Sequence, residues 1–340
     1  MKPLVSILIP AFNAEAWIAD TIKSANAQTW PRREIIVVDD GSTDQTLQLA
    51  RRFASKELVV VCQENQGAAA ARNHAFSLSQ GDYIQWLDAD DLLSPDKLAS
   101  QLAAAEECQS ARTLLSSGWG YFAYQTDSAE FIPTSLWQDL SPVEWLLRKL
   151  SENVHMQTAT WLVSREITEA AGPWDSRLKS DDDGEYFCRV ILRSDGIRFV
   201  PEGKVFYRLS PSNRVSYIGR SDAKKDAMFL SMKLHVQYIR SLEESDRVRA
   251  ACLAYLQNWL LHFYPERPDI VEELEKLAKG LGGHLEAPRL RRKYALLKLV
   301  FGYRFAKHAQ MVLPELKQSF LTSRDKLVHR LQGKKSRSPI

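Results

Sequence analysis

The chain has 340 residues, of which 45% are hydrophobic and 26% are charged, and its formal net charge is only +3. This composition excludes a disordered chain, and the length allows two domains. Four widely spaced cysteines without a C-x-x-C pair argue against a zinc site or a disulfide framework and favour a reducing cytoplasm. No segment approaches the roughly 18 to 20 apolar residues that cross a bilayer, so we expect a soluble or surface-bound protein.

The first 110 residues alternate the signals of strands and helices. Continuous apolar runs predict four strands, at residues 4–10, 34–38, 58–62 and 83–87. Helical spacing predicts a helix at residues 16–27, a second helix is expected after the turn at residues 39–44, where Ser42 or Asp44 could cap it, and a third is expected at residues 68–78. The first run is too short for a signal peptide and stops at a proline. The βαβαβαβ order predicts an α/β fold with a mainly parallel sheet.

The rest of the chain changes character twice. Aromatic strands are expected around residues 119–124 and 199–207, with short helices between them. Beyond Ser221 the strand signals vanish and apolar residues recur at helical spacing. We therefore expect an α/β domain over 1–218 and a helical region over 219–340.

Acidic side chains follow two of the predicted strands. Asp39-Asp40 ends the second strand, and Asp88-Ala89-Asp90 follows the fourth. Ligands of parallel α/β sheets bind beyond these carboxyl ends. Asp88 and Asp90 supply a carboxylate pair of the kind that holds Mg²⁺ or Mn²⁺ together with diphosphate oxygens. Taken alone, the pattern is also typical of a solvated turn or a helix cap.

A series of strings in a fixed order carries a family resemblance. They are Ile9-Pro10-Ala11-Phe12-Asn13, Val38-Asp39-Asp40-Gly41-Ser42, Asn65-Gln66-Gly67 with Ala71-Arg72-Asn73, Leu87-Asp88-Ala89-Asp90-Asp91, and Gly172-Pro173-Trp174-Asp175 before Asp182-Asp183. Over about residues 1–218 the chain resembles glycosyltransferase family 2. That resemblance implies the GT-A fold and a hexosyltransferase that uses a nucleotide-sugar donor.

The resemblance implies contacts to the nucleotide after the first two strands. Pro10, Phe12 and Asn13 would line the base and ribose pocket, and Asp40 would accept a hydrogen bond from the base. An ionised acceptor suits the N–H of uracil, which favours a UDP-sugar. The alternatives are ordinary packing for Phe12 and a turn carboxylate for Asp40.

The resemblance also implies contacts to the diphosphate and the metal ion. Gly67 would allow close backbone approach, and Arg72 would face the diphosphate or the sugar, unless it is a surface ion-pair partner. Asp90 would be the direct ligand of Mn²⁺ or Mg²⁺, and Asp88 would contact the ribose or the metal. Asp91 would hold Asp88 and Asp90 in position, or it would begin a helix.

A third acidic run is Asp181-Asp182-Asp183, which the resemblance places at the start of a helix with Asp183 as the catalytic base and Asp182 beside it. Inversion requires deprotonation of the acceptor hydroxyl as it attacks the anomeric carbon. The alternative is that acids at a helix start complement its dipole, with Glu185 and Arg189 pairing. We assign that alternative to Asp181 and Glu185.

One position departs from the family pattern. Many members carry a histidine shortly after a Tyr-Arg pair, but no histidine follows Tyr207-Arg208 nearby. The third protein contact to the metal is therefore in doubt. Ser210, Asn213 or Arg214 would take over a contact to the diphosphate.

Residues 281–340 contain fourteen Lys or Arg residues and three acidic residues, so their net charge is near +11. The net charge of the remainder of the chain is near −8. Within residues 290–307, an apolar stripe is predicted from Leu290, Tyr294, Leu297, Phe301 and Phe305. Basic residues surround it, namely Arg291, Arg292, Lys293, Lys298, Arg304 and Lys307. Such a helix suits an anionic membrane surface, or it packs its stripe onto the protein. No recognised motif accompanies the charge, which argues against nucleic acid as a partner.

The resemblance, together with these patterns, implies an inverting transferase that moves a hexosyl or N-acetylhexosaminyl group, from a UDP-sugar, to a saccharide or lipid-linked acceptor. Polysaccharide or cell-envelope assembly in the cytoplasm, at the inner face of the membrane, is the expected setting. A sugar-nucleotide nucleotidyltransferase is the enzymatic alternative, but Pro10-Ala11-Phe12-Asn13 is not its Gly-rich loop. A non-catalytic scaffold at a membrane is the other alternative, and loss of an acid would favour it.

Overall fold

The computed structural model describes residues 2–209 and 221–313. Within them the strands are β1 (Val5–Ala11), β2 (Arg33–Asp39), β3 (Leu58–Cys62), β4 (Tyr83–Trp86), β5 (Leu92–Leu93), β6 (Thr113–Phe122), β7 (Glu130–Phe131), β8 (Val163–Ser164) and β9 (Gly196–Arg208). The helices are α1 (Ile18–Asn26), α2 (Thr46–Arg51), α3 (Ala68–Leu78), α4 (Lys97–Glu107), α5 (Pro142–Glu152), α6 (Arg165–Ala171), α7 (Asp182–Leu192), α8 (Asp222–Leu242), α9 (Asp246–Phe263) and α10 (Pro268–Gly280). A further helical segment covers residues 295–313.

The larger sheet has the strand order β3-β2-β1-β4-β8. β1 is parallel to β2 and β4, β2 is parallel to β3, and β8 is an antiparallel edge strand. Every residue of β1 is buried, as its continuous apolar run predicts for a strand covered on both faces. The predicted mainly parallel α/β sheet is confirmed.

The smaller sheet has the order β5-β9-β6-β7, with β6 parallel to β9. The sequence predicts a strand around residues 119–124, whereas β6 begins at Thr113. Leu114 and Leu115 are fully buried, so the strand extends through an apolar segment that carries no aromatic signal. A register shift between Ser117 and Gly118 interrupts the β6–β9 ladder.

The ends of α5 follow from its sequence. The Ser141 side chain accepts a hydrogen bond from the backbone N–H of Glu144, Pro142 occupies the first turn, and Asn153 ends the helix in the left-handed conformation. Trp145 and Lys149, one turn apart on this helix, are both buried.

The helical region packs directly onto the α/β domain. α8 contacts α7, and α9 contacts α5. The helical spacing seen in the sequence corresponds to α8 and α9, and seven of its apolar positions are buried, namely Met232, Val236, Ile239, Val248, Cys252, Tyr255 and Phe263. No helix among residues 2–209 and 221–313 is both long and apolar enough to cross a membrane.

The stripe predicted at residues 290–307 is divided between two surfaces. Tyr294 is buried, while Phe301 and Phe305 are 59% and 50% exposed. Lys307, expected on the basic face, is buried, and its Nζ donates to the Tyr264 carbonyl over 2.6 Å and pairs with Glu266. The basic face is therefore smaller than predicted, because its last residue anchors the segment to the protein.

Candidate active site

A cavity of about 1050 Å³ opens at the carboxyl ends of β1, β2 and β4. This position is expected for the ligand site of an open α/β sheet. All ten site residues named from the sequence line it, namely Pro10, Phe12, Asn13, Asp40, Gly67, Arg72, Asp88, Asp90, Asp182 and Asp183. The chain therefore gathers three acidic clusters around one space.

Loops after β1 and β2 are tied together at the cavity wall. The Asn13 Oδ1 accepts hydrogen bonds from the backbone N–H of Thr43 at 2.9 Å and from its hydroxyl at 3.2 Å, and the Asn13 N–H donates to the Ser42 hydroxyl at 3.0 Å. Phe12 stays 50% exposed at this wall. Such exposure does not fit ordinary packing.

Asp40 holds the loop that begins α3. Its Oδ1 accepts hydrogen bonds from the Gln63 side-chain amide at 2.8 Å and the Gln66 N–H at 2.9 Å, and its Oδ2 accepts one from the Gly67 N–H at 2.8 Å. Gly67 has φ of +92°, a conformation that favours glycine, as it leads into α3. The buried carboxylate of Asp40 thus shapes this side of the cavity.

Arg72 joins two of the acidic clusters. Its Nη2 donates to the Asp88 Oδ1 over 2.8 Å, and its Nη1 donates to the Asp182 Oδ2 over 2.7 Å. The guanidinium lies 4.3 Å from the centre of the Trp174 ring and is nearly buried, so it is not a surface ion pair. Burial disfavours its charge, but Asp88 and Asp182 outweigh that effect and raise the pKa of Arg72.

Asp182 and Asp183 differ in their surroundings although they are adjacent. Burial raises the pKa of Asp182 to about 6, the charges of Asp183 and Asp88 add to the shift, and Arg72 opposes it. Asp183 is less buried and makes no ion pair with any cation of the described chain. Its Oδ1 accepts the Gly184 N–H at 2.9 Å, and the Thr158 hydroxyl lies 3.4 Å from its Oδ2. Asp183 is therefore the carboxylate of the pair that stays available.

Helix α8 of the helical region contacts the acidic residues at the start of α7. The Ser231 hydroxyl of α8 donates to the Asp181 Oδ2 over 2.5 Å, and the Tyr238 hydroxyl donates to the Glu185 Oε1 over 2.6 Å. Asp181 has φ of +55°, and its carboxylate lies so close that a Cβ at Gly184 would sit 2.1 Å from Oδ1. The expected pairing of Glu185 with Arg189 is present, at 2.7 Å.

Asp91 and Arg208 support the loop that carries Asp88 and Asp90. The fully buried Asp91 accepts the Arg208 N–H at 2.9 Å and a hydrogen bond from the Gln157 side chain. Burial, with the charges of Asp90 and Asp88, raises the pKa of Asp91 well above its usual range. The Arg208 Nε donates to the Asp90 carbonyl at 2.7 Å. Asp91 thus supports the loop, as expected.

Asp88 and Asp90 fit a metal ion only together with a substrate. Both are partly exposed on the cavity wall. Among the described residues, no group of three or more His, Cys, Asp or Glu is arranged to hold a metal ion. Mg²⁺ commonly binds through one or two carboxylates plus substrate phosphates, which is the ligand set this loop would offer. Ser210, Asn213 and Arg214, named as substitutes for the missing histidine, lie outside the described residues.

The sequence model described as Glycosyl transferase family 2 matches residues 6–167. Over these residues the chain is similar to glycosyltransferase family 2. It is 27% identical over 221 residues to the uncharacterized glycosyltransferase EpsJ of Bacillus subtilis, covering 63% of each chain. It is 46% identical over 104 residues to the putative teichuronic acid biosynthesis glycosyltransferase TuaG of the same organism, covering 30% of this chain and 41% of TuaG. These matches thus span less than two thirds of either relative.

Solved structures show that this chain has the GT-A fold. S. aureus TarS 1–349 in complex with UDP-GlcNAc superposes with a TM-score of 0.64 at 19% identity, over 90% of this chain and 91% of that one. The mannosyltransferase PcManGT from Pyrobaculum calidifontis, in complex with GDP-Man and Mn²⁺, superposes with a TM-score of 0.52 at 17% identity, over 94% and 87%.

Part of the cavity was not foreseen from the sequence. Side chains from α5 and α9 also line it, among them Trp145, Lys149, Tyr255 and Trp259. Their participation depends on how α9 docks against α5, which no local pattern indicates. By contrast, Trp119 and Trp174 are buried, and Trp174 stacks on Tyr186 with ring centres 4.0 Å apart.

Proposed function

We propose that this chain is an inverting glycosyltransferase that moves a sugar from a nucleotide-sugar donor to a saccharide or lipid-linked acceptor. The observation that carries the proposal is the contrast within one cavity between Asp182, paired with Arg72, and Asp183, which has no cationic partner in the described chain. Accessibility favours Asp183, because its oxygens are partly exposed and not held by a cation, whereas Asp182 is buried against Arg72.

The proposed reaction is a single displacement. The acceptor oxygen attacks the anomeric carbon from the face opposite the diphosphate and forms the new glycosidic bond. The bond from the anomeric carbon to the phosphate oxygen breaks, and its electron pair leaves with the nucleoside diphosphate. The acceptor proton passes to a carboxylate oxygen of Asp183. Thr158 and Gly184 orient this carboxylate through their contacts to Oδ2 and Oδ1.

Arg72 would act through the acids rather than alone. Its two ion pairs keep Asp88 and Asp182 in fixed positions and leave its charge close to the site of the leaving group. Asp182 is then a positioning residue that orients Arg72. Gly67 and the loop held by Asp40 would approach the donor with backbone atoms.

Asp90 and Asp88 would hold Mn²⁺ or Mg²⁺ together with oxygens of the donor diphosphate. When bound, the metal ion offsets the charge that develops on the leaving diphosphate. The partly exposed pair on the cavity wall supports this assignment. The PcManGT structure, which contains Mn²⁺, supports it from a chain of the same fold.

A UDP-sugar is the donor we favour, with Pro10, Phe12, Asn13 and Asp40 around the base and ribose. TarS, whose fold this chain shares, has been solved with UDP and with UDP-GlcNAc. The half-exposed Phe12 ring is suitably placed for contact with a planar base. A GDP-sugar is the competing choice, since PcManGT was solved with GDP-Man.

We further propose that residues 1–218 form the glycosyltransferase domain, whose cavity α8 and α9 complete, and that the helical region of 219–340 meets an anionic membrane at the cytoplasmic face. Exposed apolar side chains on the 295–313 segment support this, namely Leu296, Leu299, Val300, Phe301 and Phe305. Exposed Arg291, Arg292 and Lys293 precede them. Apolar insertion with flanking cations is the usual chemistry of such contacts, and cell-envelope or polysaccharide assembly is the setting that it fits.

A donor screen tests the proposed activity. Purified full-length protein is incubated with Mn²⁺ and UDP-, GDP- or dTDP-sugars, and release of the nucleoside diphosphate is followed with and without a saccharide extract as acceptor. We expect release from a UDP-sugar that excess chelator abolishes. No release from any donor, under conditions where UDP also fails to bind, would contradict the proposal.

A further inference from the structure

Lys149 is a buried cation in the wall of the cavity. It lies on α5, is only 9% exposed, and lines the same cavity as Asp183. Among the residues that the structure describes, it makes no hydrogen bond and no ion pair through its ammonium group. An ammonium group removed from water without a partner is costly, so buried lysines are ordinarily paired.

The other buried cations of the described chain all have partners. Arg72 pairs with two carboxylates, and Lys97 donates to the side-chain oxygens of Gln85 and Gln101 at 2.5 and 2.6 Å. The remaining three bind a carboxylate or backbone carbonyls, namely Arg208, Lys225 and Lys307. Lys149 is the exception, and it is also the one that faces the cavity from α5.

The surroundings of Lys149 resemble a sugar site. Trp259 of α9 is partly exposed in the same cavity, whereas Trp145, one turn before Lys149 on α5, and Tyr255 of α9 line it as buried side chains. The Trp259 Nε1 donates to the Asn153 Oδ1 over 3.0 Å, which fixes its ring. Aromatic rings pack on the apolar faces of sugars, and a lysine binds an anionic substituent as a compact point charge.

We infer that the α5–α9 side of the cavity binds the acceptor through a phosphate or carboxylate group, with Lys149 as its cationic contact. The inference rests on the proposed function and specifies the acceptor as an anionic saccharide. The contacts proposed for the nucleotide come from loops after β1, β2 and β3, whereas Lys149 comes from a helix 60 or more positions later in the chain. The two groups therefore reach the cavity from different elements.

Calorimetric titration of the full-length protein, saturated with UDP and Mg²⁺, tests this inference. Glucose, glucose 6-phosphate and glucuronate serve as the neutral, phosphate and carboxylate probes. We expect at least one anionic probe to bind about tenfold or more tightly than glucose, and the stronger one identifies the anion. Lys149→Met should remove this preference, Lys149→Arg should keep most of it, and Arg148→Met, one position away on α5, should leave it unchanged.

Two results would overturn the inference. Equal binding of the three probes to the wild-type protein would mean that the subsite does not recognise an anion. A loss of UDP affinity of about tenfold in Lys149→Met would assign the lysine to the donor diphosphate instead. Failure of UDP itself to bind, in the wild-type protein, would count against the proposed function rather than against this subsite alone.

Thermal unfolding without ligands separates binding from a structural role. A lysine that serves ligand binding adds little to folding, so the Lys149→Met protein should unfold at the same temperature as the wild type or at a higher one. A clearly lower unfolding temperature, with probe binding unchanged, would show that Lys149 only supports the fold.

Discussion

The Arg72 guanidinium donates to the Asp182 carboxylate over 2.7 Å, although the two residues lie 110 positions apart in the chain. Both side chains are nearly buried, and the same guanidinium bonds Asp88. Through these two contacts Arg72, which lies on α3, joins the loop after β4 to the start of α7. It therefore fixes the proposed metal ligands relative to the proposed base.

Replacing Arg72 tests how much this link stabilises the protein. Arg72→Met leaves Asp182 buried without its cation, and breaking a buried pair in this way costs about 3 to 5 kcal/mol of unfolding free energy. Urea unfolding at pH 7 measures the change. Arg177→Met is the matched control, because Arg177 forms a surface pair with Asp175 at 70% side-chain exposure and should cost much less. Equal losses in the two variants would contradict the importance given to Arg72.

Asp182 should make the stability of the protein depend on pH. Its folded-state pKa is raised from the usual 3.8 to about 6, so the native state holds this proton more tightly than the unfolded chain. The associated stability is present below pH 4 and is lost as the pH rises through about 6, a change of about 3 kcal/mol.

Asp182→Asn removes this titration. We expect the unfolding free energy of the variant, measured in urea, to increase relative to that of the wild type as the pH rises from 4 to 7. A constant difference across that range would show that Asp182 does not titrate there.

Ser231 is a positioning residue in this account. Ser231→Ala removes the hydrogen-bond donor to Asp181, so the acidic residues at the start of α7 should be displaced slightly. Small displacements of a reacting group have large effects on rate. We expect kcat to fall roughly tenfold, with little change in the KM for the donor. Ser241→Ala on the same helix removes only a hydrogen bond to the Tyr238 carbonyl and is the control. A fall in both variants, or in neither, would assign no special role to Ser231.

The membrane proposal predicts an effect of single charges on the 295–313 segment. Leu299→Glu and Phe301→Glu place carboxylates on side chains that are 83% and 59% exposed, and both should reduce co-sedimentation with vesicles that contain anionic lipid. Val59→Glu, on a 47% exposed residue of β3, is the control. Binding that is unchanged by all three substitutions would mean that this surface does not meet a membrane.

The sequence predicts secondary structure and site residues best where residues that are close in the chain determine them. The strands β1 to β4 are mostly apolar, and the acidic residues that follow β2 and β4 reach one cavity because parallel strands end at one edge. The partners of those acids could not be predicted. Arg72 contacts Asp182, and Ser231 contacts Asp181, only after α7 and α8 have packed against the α/β domain. Lys149 was missed for the same reason, since its burial depends on α9.

Turnover of Asp183→Asn, with a UDP-sugar donor and Mn²⁺, tests the central claim most directly. The variant keeps the size of the side chain and removes its capacity to accept the acceptor proton. We expect kcat to fall at least about 10²-fold, while the affinity for UDP changes little and Asp90→Ala loses that affinity. Near-native turnover, or a loss of UDP affinity as severe as that of Asp90→Ala, would contradict Asp183 as the base and make Asp182 the next residue to test.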